Sequence, residues 1–579
     1  MNNVENLITQ HLNLWTSAIK QKSSAGRGSS SKTELYGIKK LRELILELAA
    51  RGLLVPQDPN DEPATELLKK ISTEKTALIK EGKIKKAKPL PPLTDEEKIN
   101  TPGGWTLIRT GQLFNTINSG GTPSKRNPEY WNGDIPWASV KDLGTKRHIS
   151  TTQDQITELG LINGSRLADV GDILICTRMG LGKISIVKAP MAFNQDLKSV
   201  KLTSFVDVDF FLNTYSTLKI RGTGTTVEGI KQEQLLEYVI GLPPLAEQHR
   251  IVAKVDELMA LCDQLEQQTE ASLSAHQTLV ATLLGALTNA ADHDSFQQAW
   301  QRIAQHFDTL FTTEHSIDQL KQTILQLAVM GKLVPQDPND EPASELLKRI
   351  ATEKAKLVKE GKIKKQKVPT TVSAEEHPFP LKRGWEYRKL GDLAQIFSGN
   401  SFKSEDFKEN DGCKVIKITN AGVGELIETA DCLPIDFQEE YKNYLVFKGD
   451  LILALTRPYI STGLKISICP ETYHESLLNQ RVAAIRPFLD SSFLYLFMQS
   501  AYVLGLYQAR FGGSGLQPNL KISDVTDLVI PVPPMPEQER IVAQVMNLTM
   551  LCDQLKARLN QAQTIQLYLA DALTEQAIA

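Results

Sequence analysis

The chain has 579 residues and a formal net charge of −3, with 41% hydrophobic and 23% charged residues. This length predicts roughly three to five domains, and the charge excludes a polybasic coat that binds nucleic acid without sequence preference. Six cysteines without a CxxC pair, no apolar run approaching ~18 residues and no signal-peptide pattern at the start predict a cytoplasmic protein without a membrane partner.

The first segment, residues 1–100, predicts a helical region. Residues 1–20 fit a helix, and the Ser/Gly-rich stretch 22–32 is typical of a flexible linker. A second helix is predicted over 41–53. Asp61 is placed to cap a third helix, which ends in a basic tail.

The segment 101–244 predicts a compact α/β domain, because short apolar runs alternate with Gly, Asn, Asp and Pro. Residues 171–178 and 183–188 are typical of strands, and 209–218 of a helix. A second segment of the same kind, 381–534, has its own paired strands and predicts a second α/β domain.

Long helices are predicted to follow both domains, in the central segment 245–380 and in the C-terminal segment 535–579. Apolar residues recur at steps of four and three, which is the pattern of a coiled-coil seam. A helix of some 40 residues would be roughly 60 Å long. The predicted seam residues are Ile251, Val255, Leu258, Cys262 and Leu265, with Ile541, Val545, Leu548, Cys552 and Leu555.

The helical segments are two copies of one sequence. Leu54–Ala64 and Leu333–Ala343 share the same eleven letters, LVPQDPNDEPA, and the similarity continues on both sides. Pro243–Leu265 also aligns with Pro533–Leu555. This duplication predicts one symmetric frame that carries two different domains.

No catalytic centre is predicted. The sequence has no HExxH, GxSxG or GxxxxGK[ST] motif. FGGSG at 511–515 fits the F-x-G-x-G loop of S-adenosylmethionine methyltransferases, but it follows a predicted helix, and GTGTT at 222–226 lacks the Phe. Since [DNS]-P-P-[YFW] is also absent, a methyltransferase is disfavoured. A protein-binding coiled-coil scaffold is a further alternative, although it gives no reason for two divergent domains.

Several motifs resemble the specificity subunits of type I restriction–modification enzymes. SGGTPSKRNPEYWNGDIPWASVKDL (Ser119–Leu143) is similar to the start of a target-recognition domain in that family. FSGNSFKSEDF (Phe397–Phe407), followed by VIKITN, resembles the alternative start. PPLAEQHRIV and PPMPEQERIV resemble the exit into the spacer helix. The repeat and the long N-terminal helical region resemble the type IB subfamily.

The resemblance implies a non-catalytic subunit of a bacterial or archaeal complex on double-stranded DNA. Each domain would read one half of an asymmetric bipartite site, and the helical spacer would fix the gap. Two modification subunits, which methylate adenine at N6, and two ATP-dependent restriction subunits would dock on the repeated helices. No metal or cofactor is expected on this chain, because S-adenosylmethionine, ATP and Mg would be held by these partners.

The expected fold class is α+β, with two globular α/β target-recognition domains separated by long antiparallel coiled-coil helices. The N-terminal helices (38–82) are expected to pair with the C-terminal helix (536–577), as 246–290 pairs with 317–361. This pairing would close a circle with pseudo-two-fold symmetry.

Candidate DNA contacts are the Arg, Lys, Asn and Gln side chains of the two domains, since these types meet bases and phosphates. Arg178 and Arg457 are favoured because each ends a matching GD[IL]LI strand before a turn. Trp105 and Trp385 are interpreted as core residues. The candidates are Lys125, Arg126, Lys141, Arg147, Arg178, Lys183 and Gln195 in the first domain, and Lys403, Lys408, Lys417, Asn420, Arg457, Asn479 and Gln480 in the second.

Overall fold

The structure is a computed structural model that describes residues 7–22, 32–98, 100–144, 146–222, 228–363, 372–380, 382–511 and 518–578. Most of the predicted linker (23–31) lies outside the described residues. So do 223–227 and 512–517, which hold nearly all of the two glycine-rich loops compared above. The linker is flanked by the strands Lys20–Lys22 and Lys32–Glu34, which pair antiparallel.

The chain divides into two compact units. Each joins one of the two divergent segments, 101–244 or 381–534 (the variable segments), to helices from distant parts of the sequence. One unit is Met1–Ser272 with Gln563–Ala579, and the other is Leu273–Ala562. Both long helices, Leu245–Thr288 (the central helix) and Met535–Ile578 (the C-terminal helix), have 44 residues and contribute to both units. The five segment boundaries drawn from the sequence stay predictions.

The first unit contains the first domain, which is built on two mixed sheets. A five-stranded sheet has the order Phe114–Ser119, Leu197–Leu202, Ile173–Cys176, Ile184–Val187, His148–Ile149, and a four-stranded sheet has the order Asp154–Ile156, Trp131–Ala138, Met191–Phe193, Leu167–Ala168. Thr106–Arg109 and Val239–Leu242 form a separate antiparallel pair. The other helices of this unit are Leu12–Ser17, Tyr36–Ala50, Ala64–Lys80, Glu158–Gly164, Val208–Thr217 and Gln232–Glu237.

The second unit contains the second domain, also built on two sheets. The four-stranded sheet has the order Ala394–Ser398, Val482–Pro487, Leu451–Ala454, Ile466–Ile468, and the five-stranded sheet has the order Lys408–Glu409, Asp431–Leu433, Cys413–Ile416, Ser476–Leu478, Leu445–Val446. Two short antiparallel pairs complete it, Glu386–Lys389 with Val529–Val532 and Tyr459–Ile460 with Gly463–Leu464. The other helices are His293–Gln305, Phe307–Leu310, Glu314–Val329, Ala343–Lys359, Leu390–Leu393, Phe437–Glu440, Ser491–Met498, Ala501–Phe511 and Ile522–Thr526.

The fold thus mixes helices and sheets, as expected, but the domains are not α/β in the alternating sense. Most strand pairs are antiparallel. The longer helices of each domain come near the end of its variable segment, at Val208–Thr217 in the first and at Ser491–Met498 and Ala501–Phe511 in the second. Short apolar runs predict buried strands, but they do not determine which strands pair or in which direction.

In the first unit, the helix Tyr36–Ala50 packs against both long helices. Its apolar face shares one core with the seam residue Ile251 of the central helix and with Ala570 of the C-terminal helix. Arg42 forms an ion pair with Glu266 (2.7 Å), and the Tyr36 hydroxyl donates to Asp571 at 2.7 Å. The predicted pairing with the C-terminal helix alone is therefore incomplete, because the helix also contacts the central one.

The second unit repeats this packing with the helix Glu314–Val329. Its residue Lys321 forms an ion pair with Asp553 (2.7 Å) of the C-terminal helix, and its apolar residues share a core with Leu284 of the central helix. The seam residues are buried (Ile251, Val255, Leu258, Cys262, Ile541, Val545, Cys552) or half-buried (Leu265, Leu548, Leu555). Burial raises the pKa of the Cys262 thiol to about 11, as expected for a thiol packed in an apolar seam.

Each domain is attached to a long helix by a buried Trp–Glu hydrogen bond. Trp105 Nε1 donates to Glu247 at 2.9 Å, and Trp385 Nε1 donates to Glu537 at 2.9 Å. Burial raises the pKa of both glutamates. Both tryptophans are buried, so their interpretation as core residues is confirmed.

The exact repeat contributes a second pair of equivalent contacts. Asp61 forms an ion pair with Arg250 (2.6 Å), and Asp340 forms one with Arg540 (2.6 Å). The prediction that Asp61 caps the following helix is wrong. That helix has Pro63 at its N-cap with no side-chain cap. The Asp61 carboxylate instead joins the repeat to the central helix, because a guanidinium is within its reach.

Candidate nucleic-acid interface

The two domains present the same arrangement of turns at the ends of equivalent strands. Thr177 N donates to Asp196 O at 2.8 Å in the first domain, and Leu455 N donates to Arg481 O at 3.0 Å in the second. The parallel pairs Phe193↔Ala138 and Leu478↔Ile416 lie at matching places. These backbone contacts align the domains residue by residue, although their sequences differ.

In the first domain, these turns bring four of the predicted residues to one end of the sheets. Lys183 Nζ donates to Val140 O at 3.1 Å, next to the exposed Lys141. Arg178 lies 3.5 Å from Asp196 in an ion pair, and the neighbouring Gln195 accepts a hydrogen bond from Thr122. Lys125 and Arg126 are exposed on the turn that follows Thr122.

Arg147, in contrast, is tied to the frame of the first unit. Its guanidinium contacts Asp209 at 2.6 Å and Asp256 of the central helix at 2.9 Å. Two carboxylates more than balance the charge of this arginine and fix its orientation, so it is poorly placed to bind a phosphate. We therefore assign Arg147 to the attachment of the first domain, which a sequence without contacts does not reveal.

In the second domain, the corresponding turns surround a cavity of about 570 Å³. Its lining includes Thr419, the predicted Arg457, and two cations that the sequence analysis missed, Lys465 and Arg481. A patch of cations around a recess is suited to hydrogen-bond acceptors and negative charge.

The other predicted residues of the second domain are divided between exposed and structural positions. Gln480 is exposed and Asn479 is half-buried beside the loop of Asn400, since Gln480 N donates to Asn400 O at 3.0 Å. Lys403 is exposed near Glu405 (3.5 Å). Lys408 is exposed on the edge strand Lys408–Glu409 and does not line the cavity.

The sequence analysis proposed Asn420 as a DNA contact, but its side chain is fully buried. Its Oδ1 accepts from Lys417 N at 2.8 Å, as Asp142 Oδ2 accepts from Ser139 N at 2.8 Å in the first domain. Asn420 therefore stabilises a turn and does not reach a base.

Lys417 is also engaged within the domain. Its ammonium lies 2.6 Å from Asp431 and 5.0 Å from the centre of the Phe407 ring. The hydrogen bond from Lys417 lowers the pKa of the Asp431 carboxyl. The half-buried lysine therefore has a structural partner already in place.

The predicted equivalence of Arg178 and Arg457 is wrong by one residue. The backbone of Arg178 forms an isolated antiparallel β-bridge with Gly229, and that of Thr456 forms one with Asn519. Arg178 therefore corresponds to Thr456. Met179 then corresponds to Arg457, and both have a positive φ, 61° and 49°. The strand and the turn have the same length in both domains, and the arginine stands one position later in the second, so matching the letters Thr-Arg shifts the alignment by one residue. An alignment of FNQD (193–196) with LNQR (478–481) would have placed Arg481 at the position of Asp196.

The described residues give no sign of a metal centre or a membrane segment. No group of three or more His, Cys, Asp or Glu side chains among them is placed to hold a metal ion. No helix in the described parts of the chain is both long and apolar enough to cross a membrane.

Comparisons with known proteins give one family for both halves of the chain. The model of the "Type I restriction modification DNA specificity domain" matches residues 102–275 and 382–563. The specificity subunit of the type I restriction enzyme EcoAI from Escherichia coli is 42% identical, over 99% of this chain and 100% of its own. The EcoEI subunit, also from Escherichia coli, is 37% identical over the same shares.

A solved structure of the HsdS subunit from Thermoanaerobacter tengcongensis is 16% identical, with a TM-score of 0.39 over 82% of this chain and 97% of its own. The family assignment comes from the sequence comparisons, which span nearly the whole chain and match both variable segments. The chain belongs to the specificity subunits of type I restriction enzymes, in the type IB subfamily, and its role is recognition of the DNA target.

Proposed function

We propose that each variable domain reads one half of an asymmetric, bipartite site on double-stranded DNA. The observation that carries this proposal is the shared backbone arrangement of the two domains with different side chains at equivalent positions. Met179 and Asp196 in the first domain correspond to Arg457 and Arg481 in the second. Two domains that share a backbone arrangement but present different side chains are suited to reading two different base sequences.

The duplicated frame supports a fixed gap between the half-sites and circular pseudo-two-fold symmetry. Its equivalent contacts, Trp105–Glu247 with Trp385–Glu537 and the two Asp–Arg pairs, attach each domain in the same way. A 44-residue helix is about 66 Å long, which exceeds one turn of DNA at about 34 Å. In this proposal the long helices are the spacer.

The chain is proposed to act without catalysis, as part of a larger complex. Two modification subunits and two restriction subunits would dock on the repeated helices, since a duplicated frame offers each partner two equivalent surfaces. Exposed apolar residues on the C-terminal helix, such as Met546, Met550 and Leu551, support protein docking there. S-adenosylmethionine, ATP and Mg would then be bound by these partners, in the cytoplasm of a bacterium or archaeon.

The test is a domain exchange followed by a map of DNA methylation. The chain is co-expressed with its modification subunit in a methylation-free host, and N6-methyladenine is located by sequencing. Replacement of residues 384–532 by the corresponding segment of a related subunit should change one half of a gapped motif. The matched control replaces residues 104–242 and should change the other half.

Three results would contradict the proposal. A change in both halves after one exchange would show that the domains do not act separately. A short continuous motif would show that one domain suffices. A stable complex without new methylation would favour the scaffold hypothesis.

A further inference from the structure

The turn after the central strand of each domain holds a side chain in an uncommon backbone conformation. Met179 and Arg457 occupy this turn with φ of 61° and 49°. Their amides are fixed, since Met179 N donates to Glu228 O at 3.2 Å and Arg457 N donates to Pro518 O at 2.8 Å. Glycine adopts positive φ at no steric cost, so two different non-glycine residues at one such position point to a use for the side chain.

A second position beside this turn carries a negative side chain in the first domain and a positive one in the second. Asp196 in the first domain partly neutralises Arg178, at 3.5 Å. Arg481 occupies the equivalent place in the second domain, as its carbonyl accepts the same backbone hydrogen bond. The first domain therefore has a balanced pair at this point, whereas the second has an excess of positive charge.

The excess charge is concentrated around one cavity. Arg457, Arg481 and Lys465 line the same recess of about 570 Å³, together with apolar side chains such as Ile418 and Ile460. None of the three cations forms an ion pair or a side-chain hydrogen bond with another described residue. Like charges around a recess repel one another, so an external acceptor placed there would be bound favourably.

On this basis we propose that Arg457, with Arg481 beside it, is a base-reading residue that binds the O6 and N7 edge of a guanine. This inference rests on the proposed function and adds the chemistry of one position in the half-site. The planar guanidinium fork fits two acceptors side by side, and arginine on guanine is the commonest specific contact in the major groove. The fixed backbone of Arg457 restricts where its side chain can reach, as base reading requires.

The corresponding Met179 has no charge and is 66% exposed, so the first domain offers an apolar contact at this position. An apolar side chain in the groove fits a thymine methyl group and offers no donor to guanine. The two half-sites are therefore expected to differ at the base pair that faces this turn.

The test compares Arg457→Gln, Arg481→Gln and Arg457→Lys in the full chain, co-expressed with the modification subunit. Arg457→Gln should relax the preference for G·C at one position of one half-site, by roughly 5- to 150-fold. Arg481→Gln should weaken the same preference. Arg457→Lys keeps the charge but loses the fork, so it should also relax that position while the other half-site stays intact.

The matched control is Lys442→Gln, which removes a charge from the same domain at a side chain that is 65% exposed and outside the cavity. It should leave the motif unchanged. Equal weakening on all sequences with a smaller salt dependence, and recovery by Arg457→Lys, would show a phosphate contact and overturn the inference. An unchanged motif in Arg457→Gln would overturn it too. Failure of the proposed function is distinguishable, because the wild-type chain would then give no bipartite motif.

Discussion

Replacement of Asn420 by alanine separates a structural role from contact with DNA. The Asn420 Nδ2 lies 2.8 Å from Ile427 O, 3.1 Å from Thr429 Oγ1 and 3.2 Å from the Tyr473 hydroxyl, and these acceptors share its two N–H donors. The Oδ1 accepts from Lys417 N at 2.8 Å. At about 0.5–1.5 kcal/mol net for each of these three hydrogen bonds, Asn420→Ala should lower the free energy of unfolding by about 1.5–4.5 kcal/mol.

The assay is thermal unfolding of the full chain, in which the transition temperature of the second unit should fall by at least about 3 °C, at roughly 2 °C per kcal/mol. Thr419→Ala, at the exposed neighbour, is the control and should change stability by no more than about 0.5 kcal/mol. If Asn420→Ala instead unfolded at the wild-type temperature and lost DNA binding, the buried hydrogen-bond network would not be its role.

Two further predictions concern the frame. Burial raises the pKa of Glu537 above its usual 4.5, so its contribution to stability is complete below about pH 4.5 and is lost as the pH rises through the folded-state pKa. Glu537→Gln keeps an oxygen that accepts from Trp385 Nε1, and it should remove the loss of stability at higher pH. If the unfolding free energies of the variant and the wild type change with pH in the same way from pH 4 to 8, the prediction is wrong. Insertion of four residues within 266–275 should lengthen the gap between half-sites in the methylation map, and an unaltered gap would count against the helix as spacer.

The repeated frame could be predicted from the sequence because its information is local. An exact eleven-residue repeat and a helical period identify the same elements wherever they occur, and both long helices begin where PPLAEQ and PPMPEQ predict. The packing of Tyr36–Ala50 against both long helices was missed, because periodicity shows which face is apolar and not how many partners cover it.

Which of the candidate DNA contacts are exposed and without internal partners could be predicted less well, because the exposure of a polar side chain depends on contacts between distant residues. Asn420 and Lys417 have the composition of a binding surface, yet both have internal partners. Arg147 is held by two carboxylates, Asp209 and Asp256, the second of which lies more than a hundred positions away. A Thr-Arg pair that stands one position later in the second domain was enough to match Arg457 with Arg178 instead of with Met179.

The strands that open and close each variable domain are direct neighbours, and this has an evolutionary consequence. Thr106 pairs with Leu242 in the first domain, and Glu386 pairs with Val532 in the second. The two ends of a domain therefore leave the frame side by side, held by main-chain hydrogen bonds that do not depend on particular side chains. Domains with neighbouring ends tolerate insertion and exchange. In the proposed function, new target sequences would arise by the exchange of whole domains, without any change in the helices that hold them.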